Sequence, residues 1–317
     1  MQLLSWNVRY FGHGLRGLRA TSRWMDRIVA AIAARDPLPD VLALQEVEDR
    51  SLRVGLSGHQ LRRFVDKLSA VTGRAYVGHH WSAHRYEAGV PVYGQGQALV
   101  LGEGVELLGA ERADITHVRL PAFARLKQRR IAVHAQLSVQ GRRLDLVQAH
   151  LSLPAFFERG DPPPGTRRMG FGSNQLAEMR NLLSWVGGRL SDAGLWVPDH
   201  ELVTPRRDLL DADGRPVQAD EGVPTVLVGD LNSQPGTGVT AMLEEAGWVD
   251  VFREGAGLGL DEQRALGTHA FFGTPMHIDH LFARGPVRFL PSHLHPLGDG
   301  PFAGLSDHTP KEGRLSW

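Results

Sequence analysis

The sequence predicts a mixed α/β protein, and three observations carry that expectation. Short apolar runs of strand length alternate with amphipathic segments of helical period. Several of the runs follow one another with only a tight turn between them. Acidic, amide or imidazole residues recur where the runs end. With 317 residues, 42% of them apolar, the chain can bury a sizeable core.

The elements follow in order. Residues 2–8 form an apolar segment with Trp6-Asn7 at its exit, read as a buried strand. Residues 21–35 place Trp24, Ile28 and Ile32 on one helical face, and Asp36-Pro37 with Pro39-Asp40 ends that helix. A strand follows at Val41-Leu42-Ala43-Leu44, with Gln45-Glu46 at its carboxyl end, and then a helix over 59–72. Strands are expected at 97–101, 105–108, 131–138 and 144–149, the last two joined by a turn at Gln140-Gly141. A helix over 174–190 precedes a short strand, Val226-Leu227-Val228, which runs into Gly229-Asp230-Leu231-Asn232. A helix over 237–246 and strands near 278–283 and 287–290 complete the series. Residues 154–173 and 191–224, rich in Pro, Gly and Asp, read as surface insertions in one domain spanning 1–317.

Lys+Arg and Asp+Glu both total 35, so a general affinity for polyanions is not expected, and any basic stripe must be local. All cationic side chains are arginine except Lys67, Lys127 and Lys311. No cysteine is present, which excludes disulfides, thiolate zinc sites and cysteine nucleophiles. The opening Met-Gln-Leu-Leu-Ser-Trp-Asn lacks a basic stretch followed by an apolar run, so the expectation is a cytoplasmic protein without a signal peptide. No apolar stretch approaches the ~20 residues that span a bilayer.

Six polar islands stand at the ends of apolar runs: Ser5-Trp6-Asn7, Leu44-Gln45-Glu46, Gln148-Ala149-His150, Gly229-Asp230-Leu231-Asn232, His277-Ile278-Asp279-His280 and Ser306-Asp307-His308. One such residue after a strand is ordinary turn chemistry. Six of them suggest strand ends that converge on one site, since carboxylates and amides are costly to bury alone. Neighbouring carboxylates repel, and a divalent cation relieves the repulsion. Oxygen-rich ligation favours Mg2+ or Mn2+ over zinc.

In their order, these islands resemble the endonuclease/exonuclease/phosphatase superfamily, the DNase-I-like metal-dependent phosphoesterases. The resemblance covers residues 3–308, and its most specific pieces are Gly229-Asp230-Leu231-Asn232-Ser233-Gln234-Pro235 and Leu305-Ser306-Asp307-His308. It implies a four-layer sandwich, two mixed sheets packed face to face with helices on both outer faces. It further implies Glu46 as principal metal ligand, Asn7 beside it and Asp307 near the metal. His308 would meet the scissile phosphate, with Asp279 orienting its imidazole. Asp230 would align or deprotonate the attacking water with Asn232 steadying it, and His150 would bind a non-bridging oxygen or assist the leaving group. Whether Asp230 or His308 is the base stays open. Tyr93, Gln97, Arg129 and Arg130 are candidates for touching phosphate. His280 is expected to turn away from Asp279 by strand alternation, Thr268-His269 is read as structural, and Gln175 stands where relatives often have a glutamine after an arginine, a pattern that Asn174 and the preceding glycines break.

The expected activity is hydrolysis of a phosphodiester in nucleic acid or a nucleotide, with DNA or RNA as the partner. The alternatives are a phosphomonoesterase, a phospholipid-headgroup or inositol-phosphate esterase, and a non-catalytic binding module. No protein partner is inferred.

Overall fold

The structure is a computed structural model; it describes residues 1–12, 17–48, 60–87, 91–117, 128–154, 169–190, 223–271, 274–293, 295 and 297–317. Most of both expected insertions, and the basic residues Arg125 and Lys127, lie outside the described residues. The last residues of the first insertion are core: Met169 is buried, and Gly170 accepts from Val239 N at 3.0 Å.

Two mixed six-stranded sheets form the body. The first runs β13 (Arg288–His293), β14 (Lys311–Ser316), β1 (Gln2–Asn7), β2 (Val41–Glu48), β4 (Pro91–Gly102), β3 (Tyr76–Glu87). The second runs β5 (Val105–Asp114), β6 (Ile131–Val139), β7 (Arg142–His150), β8 (Thr225–Asp230), β12 (Asp279–Arg284), β9 (Val249–Asp250). Each sheet has one parallel pair at its centre, β1 with β2 and β7 with β8, flanked by antiparallel neighbours.

Alternation along the strands divides the apolar residues between two faces. Leu3, Val41, Ala43 and Leu99 meet Leu144, Leu146, Val226, Val228 and Leu281 between the sheets. Leu4, Trp6, Leu42 and Leu44 face α2 (Gly17–Ala33) and α3 (Gln60–Thr72). Val147, Leu227 and Phe282 face α4 (Ser173–Leu190) and α5 (Gly238–Glu245). The result is helices, sheet, sheet, helices, the four-layer sandwich the sequence resemblance implied. The expected Gln140-Gly141 turn has φ of 51° and 78°, the two positive values a tight hairpin requires. No helix among the described residues is long and apolar enough to cross a membrane.

Parallel strands end at the same edge, which determines where polar residues collect. Asn7 closes β1, Glu46 lies near the end of β2, and His150 and Asp230 close β7 and β8. Asp279 opens the antiparallel β12 directly opposite Asp230. Crevices outside the carboxyl ends of parallel strands are where ligands bind in open α/β sheets, and the same geometry applies here.

Candidate active site

Local backbone devices aim the side chains. The register of β2 on β4 shifts between Gln45 and Val47, so Glu46 sits in a bulge with φ 56°. A bulge turns one residue out of the pleat, and the Glu46 side chain retains 20% exposure in an otherwise buried strand. Gly229 has φ 144°, and a Cβ there would meet the Ala149 carbonyl oxygen at 1.9 Å. Glycine therefore lets β8 press against β7 just before Asp230. Asn232 has φ 48°; its N–H donates to Asp230 Oδ1 at 2.9 Å and its side-chain amide donates to Leu151 O at 2.9 Å.

Asp230 Oδ2 is the hub. Asn7 Nδ2 donates to it at 3.0 Å, His150 Nε2 lies 3.5 Å away and His308 Nε2 3.7 Å away. The Glu46 carboxylate lies 4.0 Å from His150 Nε2. Behind His308, Nδ1 is 2.9 Å from Asp279 Oδ2, and Trp6 Nε1 donates to the His308 carbonyl at 2.9 Å. Ser306 Oγ donates to Asn7 O at 2.7 Å, which ties the last island to the first. Asp307 pairs with Arg9 at 2.7 Å. Arg9 belongs to α1 (Arg9–Gly12), a single turn in which all four residues have positive φ.

Charge follows from burial and neighbours. Burial pushes the carboxyl groups of Glu46 and Asp230 up, Asp230 to about 7 against the opposing pull of His308. Burial would lower His308, but Asp279 and Asp230 outweigh it and carry His308 up to about 10. Burial would raise Asp279, but the His308 charge and hydrogen bond hold it down. Burial, Arg130 and His308 together keep His150 well below the usual histidine range, so His150 is neutral.

The structure thus brings together Asn7, Glu46, His150, Asp230, Asp279 and His308, with Asn232 and Asp307 alongside. Among the phosphate-contact candidates, Arg130 is buried with Nη1 3.1 Å from the His150 ring nitrogens. Gln97 is also buried and donates to Ile131 O at 2.8 Å. Arg129 is engaged by Asp114. Tyr93 lies on β4, and its side chain is outside the described ones. His280 faces away from Asp279, toward Ser233 O at 2.7 Å.

Two residues gain a place the sequence did not give them. Gln175 accepts from Gly170 N and Gly172 N and donates to Ser152 O and Asn232 O, bracing the Asp230–Asn232 loop. His269 pairs across from His308, with ring centroids 4.4 Å apart. That long-range pairing, invisible in local sequence, moves His269 from a structural reading into the cluster.

A groove of about 720 Å³ lined by Leu61, Val65, Tyr76, Trp81 and Arg112 contains none of these residues. Convergent chemistry locates the site here; cavity size does not.

Two mixed sheets face to face, helices outside and a polar cluster at their common edge define the DNase-I-like sandwich. Residues 4–308 match the model of the Endonuclease/Exonuclease/phosphatase family, and the chain belongs to that family. Its members are hydrolases of phosphate esters and are generally dependent on a divalent metal. No curated protein matches the chain. Among solved structures, an endonuclease/exonuclease/phosphatase family protein from Leptotrichia buccalis superposes with TM-score 0.62 at 13% identity, covering 100% of both chains. The human Nocturnin catalytic domain with bound sulfate gives 0.59 at 16% identity, over 100% of this chain and 93% of that one. D. rerio TDP2 complexed with single-strand DNA product gives 0.56 at 16%, over 100% and 99%. At these identities the likeness is one of fold.

Proposed function

We propose that the protein is a divalent-metal-dependent phosphodiesterase that hydrolyses nucleic acid or a nucleotide by in-line attack of water. The observation that carries this reading is the convergence of Asn7, His150 and His308 on one oxygen, Asp230 Oδ2. We read residues 1–317 as one domain, since this convergence draws on both sheets and Gln148 Nε2 crosses between them to Leu44 O at 2.8 Å.

A divalent ion fits the donors present. Glu46 is a bulge-aimed carboxylate that burial makes reluctant to ionise without a cation, and Asn7 and Asp307 add hard oxygen donors. These three residues would hold Mg2+ or Mn2+, which when bound polarises a phosphoryl oxygen and neutralises developing charge. Asp230 is anchored by Asn7 and the Asn232 N–H, with a proton affinity near neutrality, and so can align a water and take its proton. Asp279 fixes the His308 tautomer and supports an imidazolium whose Nε2 points into the cluster toward the phosphoryl group. Neutral His150 and the Arg130 guanidinium beside it supply donors to non-bridging oxygens. The assignment of Asp230 as base follows from geometry: its Oδ2 is held into the cluster by Asn7, whereas His308 is tied through Nδ1 to the Asp279 carboxylate, which favours its charged form.

A phosphate substrate is favoured by the Arg130 guanidinium beside His150, whose fork geometry suits phosphate, with Arg129, paired to Asp114, next to it. The DNA-bound TDP2 structure shares this fold. The test is hydrolysis of plasmid, single-stranded DNA, RNA, bis-p-nitrophenyl phosphate and p-nitrophenyl phosphate with Mn2+ or Mg2+. Diester cleavage that falls by roughly 100-fold or more in Glu46→Ala and His308→Ala is expected. Turnover of the monoester alone would overturn the diester reading, and no hydrolysis by folded, metal-loaded protein would overturn the enzyme.

A further inference from the structure

We infer that His269, Asp307 and His308 form a second cation site, sharing the Asp307 carboxylate with the Glu46 site through its two oxygens, that takes a nitrogen-preferring divalent ion of the zinc class. The ligand atoms of the three residues lie within 4.8 Å of one another. His269 and His308 are direct cross-strand partners, so both imidazoles rise from the same face with centroids 4.4 Å apart.

The orientation of each ring is the more telling observation. His308 Nδ1 is 2.9 Å from the Asp279 carboxylate, and His269 Nδ1 is 3.1 Å from the Asp307 carbonyl. Metal-binding histidines almost always donate one ring N–H to a carboxylate or backbone carbonyl, which leaves the other nitrogen free to ligate. Here both histidines are tied in that way through Nδ1, and both have Nε2 left for a metal. A carbonyl can only accept, so Nδ1 of His269 must carry the proton and Nε2 the lone pair.

The surroundings favour positive charge. Asp230 lies 3.7 Å from His308 Nε2 and Asp279 lies behind the ring. Arg9 competes for Asp307, but that pair is 53% and 30% exposed. Exposed pairs contribute about 0–1 kcal/mol. Two imidazoles and one carboxylate with a remaining open position suit zinc and its neighbours, whereas magnesium prefers an all-oxygen shell. Zinc binding would release a proton from His308 and divert its Nε2 from the phosphoryl group. Zinc should therefore inhibit hydrolysis at saturating Mg2+; this consequence rests on the phosphodiesterase reading, and the binding itself does not.

The test is calorimetric titration of Zn2+ into protein saturated with Mg2+, together with Co2+ absorption spectra. Wild type should bind one zinc-class ion. His269→Phe, which keeps a ring against His308, should weaken that binding by more than about tenfold, with inhibition reduced relative to its own zinc-free rate. His269→Cys should restore binding and give a thiolate-to-cobalt charge-transfer band, assignable without ambiguity because the chain has no cysteine of its own. No zinc binding in the presence of Mg2+, equal binding by His269→Phe, or no band in His269→Cys would each overturn the site. Zinc binding to a protein that hydrolyses no phosphoester would leave the site standing and overturn only the proposed activity.

Discussion

Lys311 opens β14 opposite Ser5 and is 2% exposed in the apolar space between the sheets. Its Nζ lies 3.4 Å above the centre of the Phe252 ring, and no hydrogen-bond acceptor among the described residues engages it. Burial pulls its pKa from 10.5 to about 7, even with Asp250 and Asp279 attracting the charge. At 1.36 kcal/mol per tenfold change, the protonated lysine costs the fold roughly 5 kcal/mol below pH 7. Because the folded value is depressed, stability lost to this group is regained as pH rises from about 7 to 10.5. Lys311→Met keeps the length of the side chain, removes the charge and leaves a thioether against Phe252. The variant should be more stable than wild type by about 2–5 kcal/mol at pH 6, the range allowing for incomplete repacking. Whatever the repacking loss, the gain should shrink by about 4 kcal/mol between pH 6 and pH 10. Urea unfolding of both proteins from pH 6 to 10 measures it, and the difference between them is the quantity to read. His308 titrates over the same span with opposite sign in both proteins. A variant less stable at pH 6, or a difference independent of pH, would refute the argument that desolvation of this ammonium outweighs its attraction to Asp250.

Asp279→Asn should retain Mn2+ binding but depress turnover by about 10- to 100-fold, because His308 loses the carboxylate that fixes it. Unchanged kcat in a metal-loaded assay would count against the pairing. The same variant has a stability signature: with His308 raised to about 10, its contribution is complete below pH 6.5 and is lost as pH climbs through 10. Thermal melts of Asp279→Asn should show a smaller loss across that window than wild type. Gln175→Ala removes an amide that makes four buried hydrogen bonds. It should cost about 2–4 kcal/mol in urea unfolding, the scale of several buried groups left unpaired; a loss under about 0.5 kcal/mol would refute its bracing role.

How much was legible in the sequence differs by element, for physical reasons. Strands β1, β2, β7 and β8 were readable because fully buried parallel strands appear as unbroken apolar runs. Their polar exits were readable because nothing in strand chemistry calls for Asn7, Glu46, His150 or Asp230 there. β3, Tyr76–Glu87, was missed: its histidines, serine and arginine on an edge strand carry no clear alternation. β14 was missed for another reason. Lys-Glu-Gly-Arg reads as a solvated loop, yet Lys311 and Glu312 are buried. Glu312 is accommodated by Arg35 at 3.1 Å and His295 at 3.0 Å, partners supplied by distant segments.

The amino-acid order by itself determined the alternation of apolar runs and helices, the polar ends of those runs and, through resemblance, the family. These are local patterns, set by period and residue type. Only the tertiary structure decided that Asp230 Oδ2 is the point on which three side chains converge, that Glu46 is aimed by a bulge, and that His269 stands beside His308. Those facts depend on sheet register and on contacts between residues far apart in the chain, and a one-residue slip in pairing would turn each of those side chains to the opposite face.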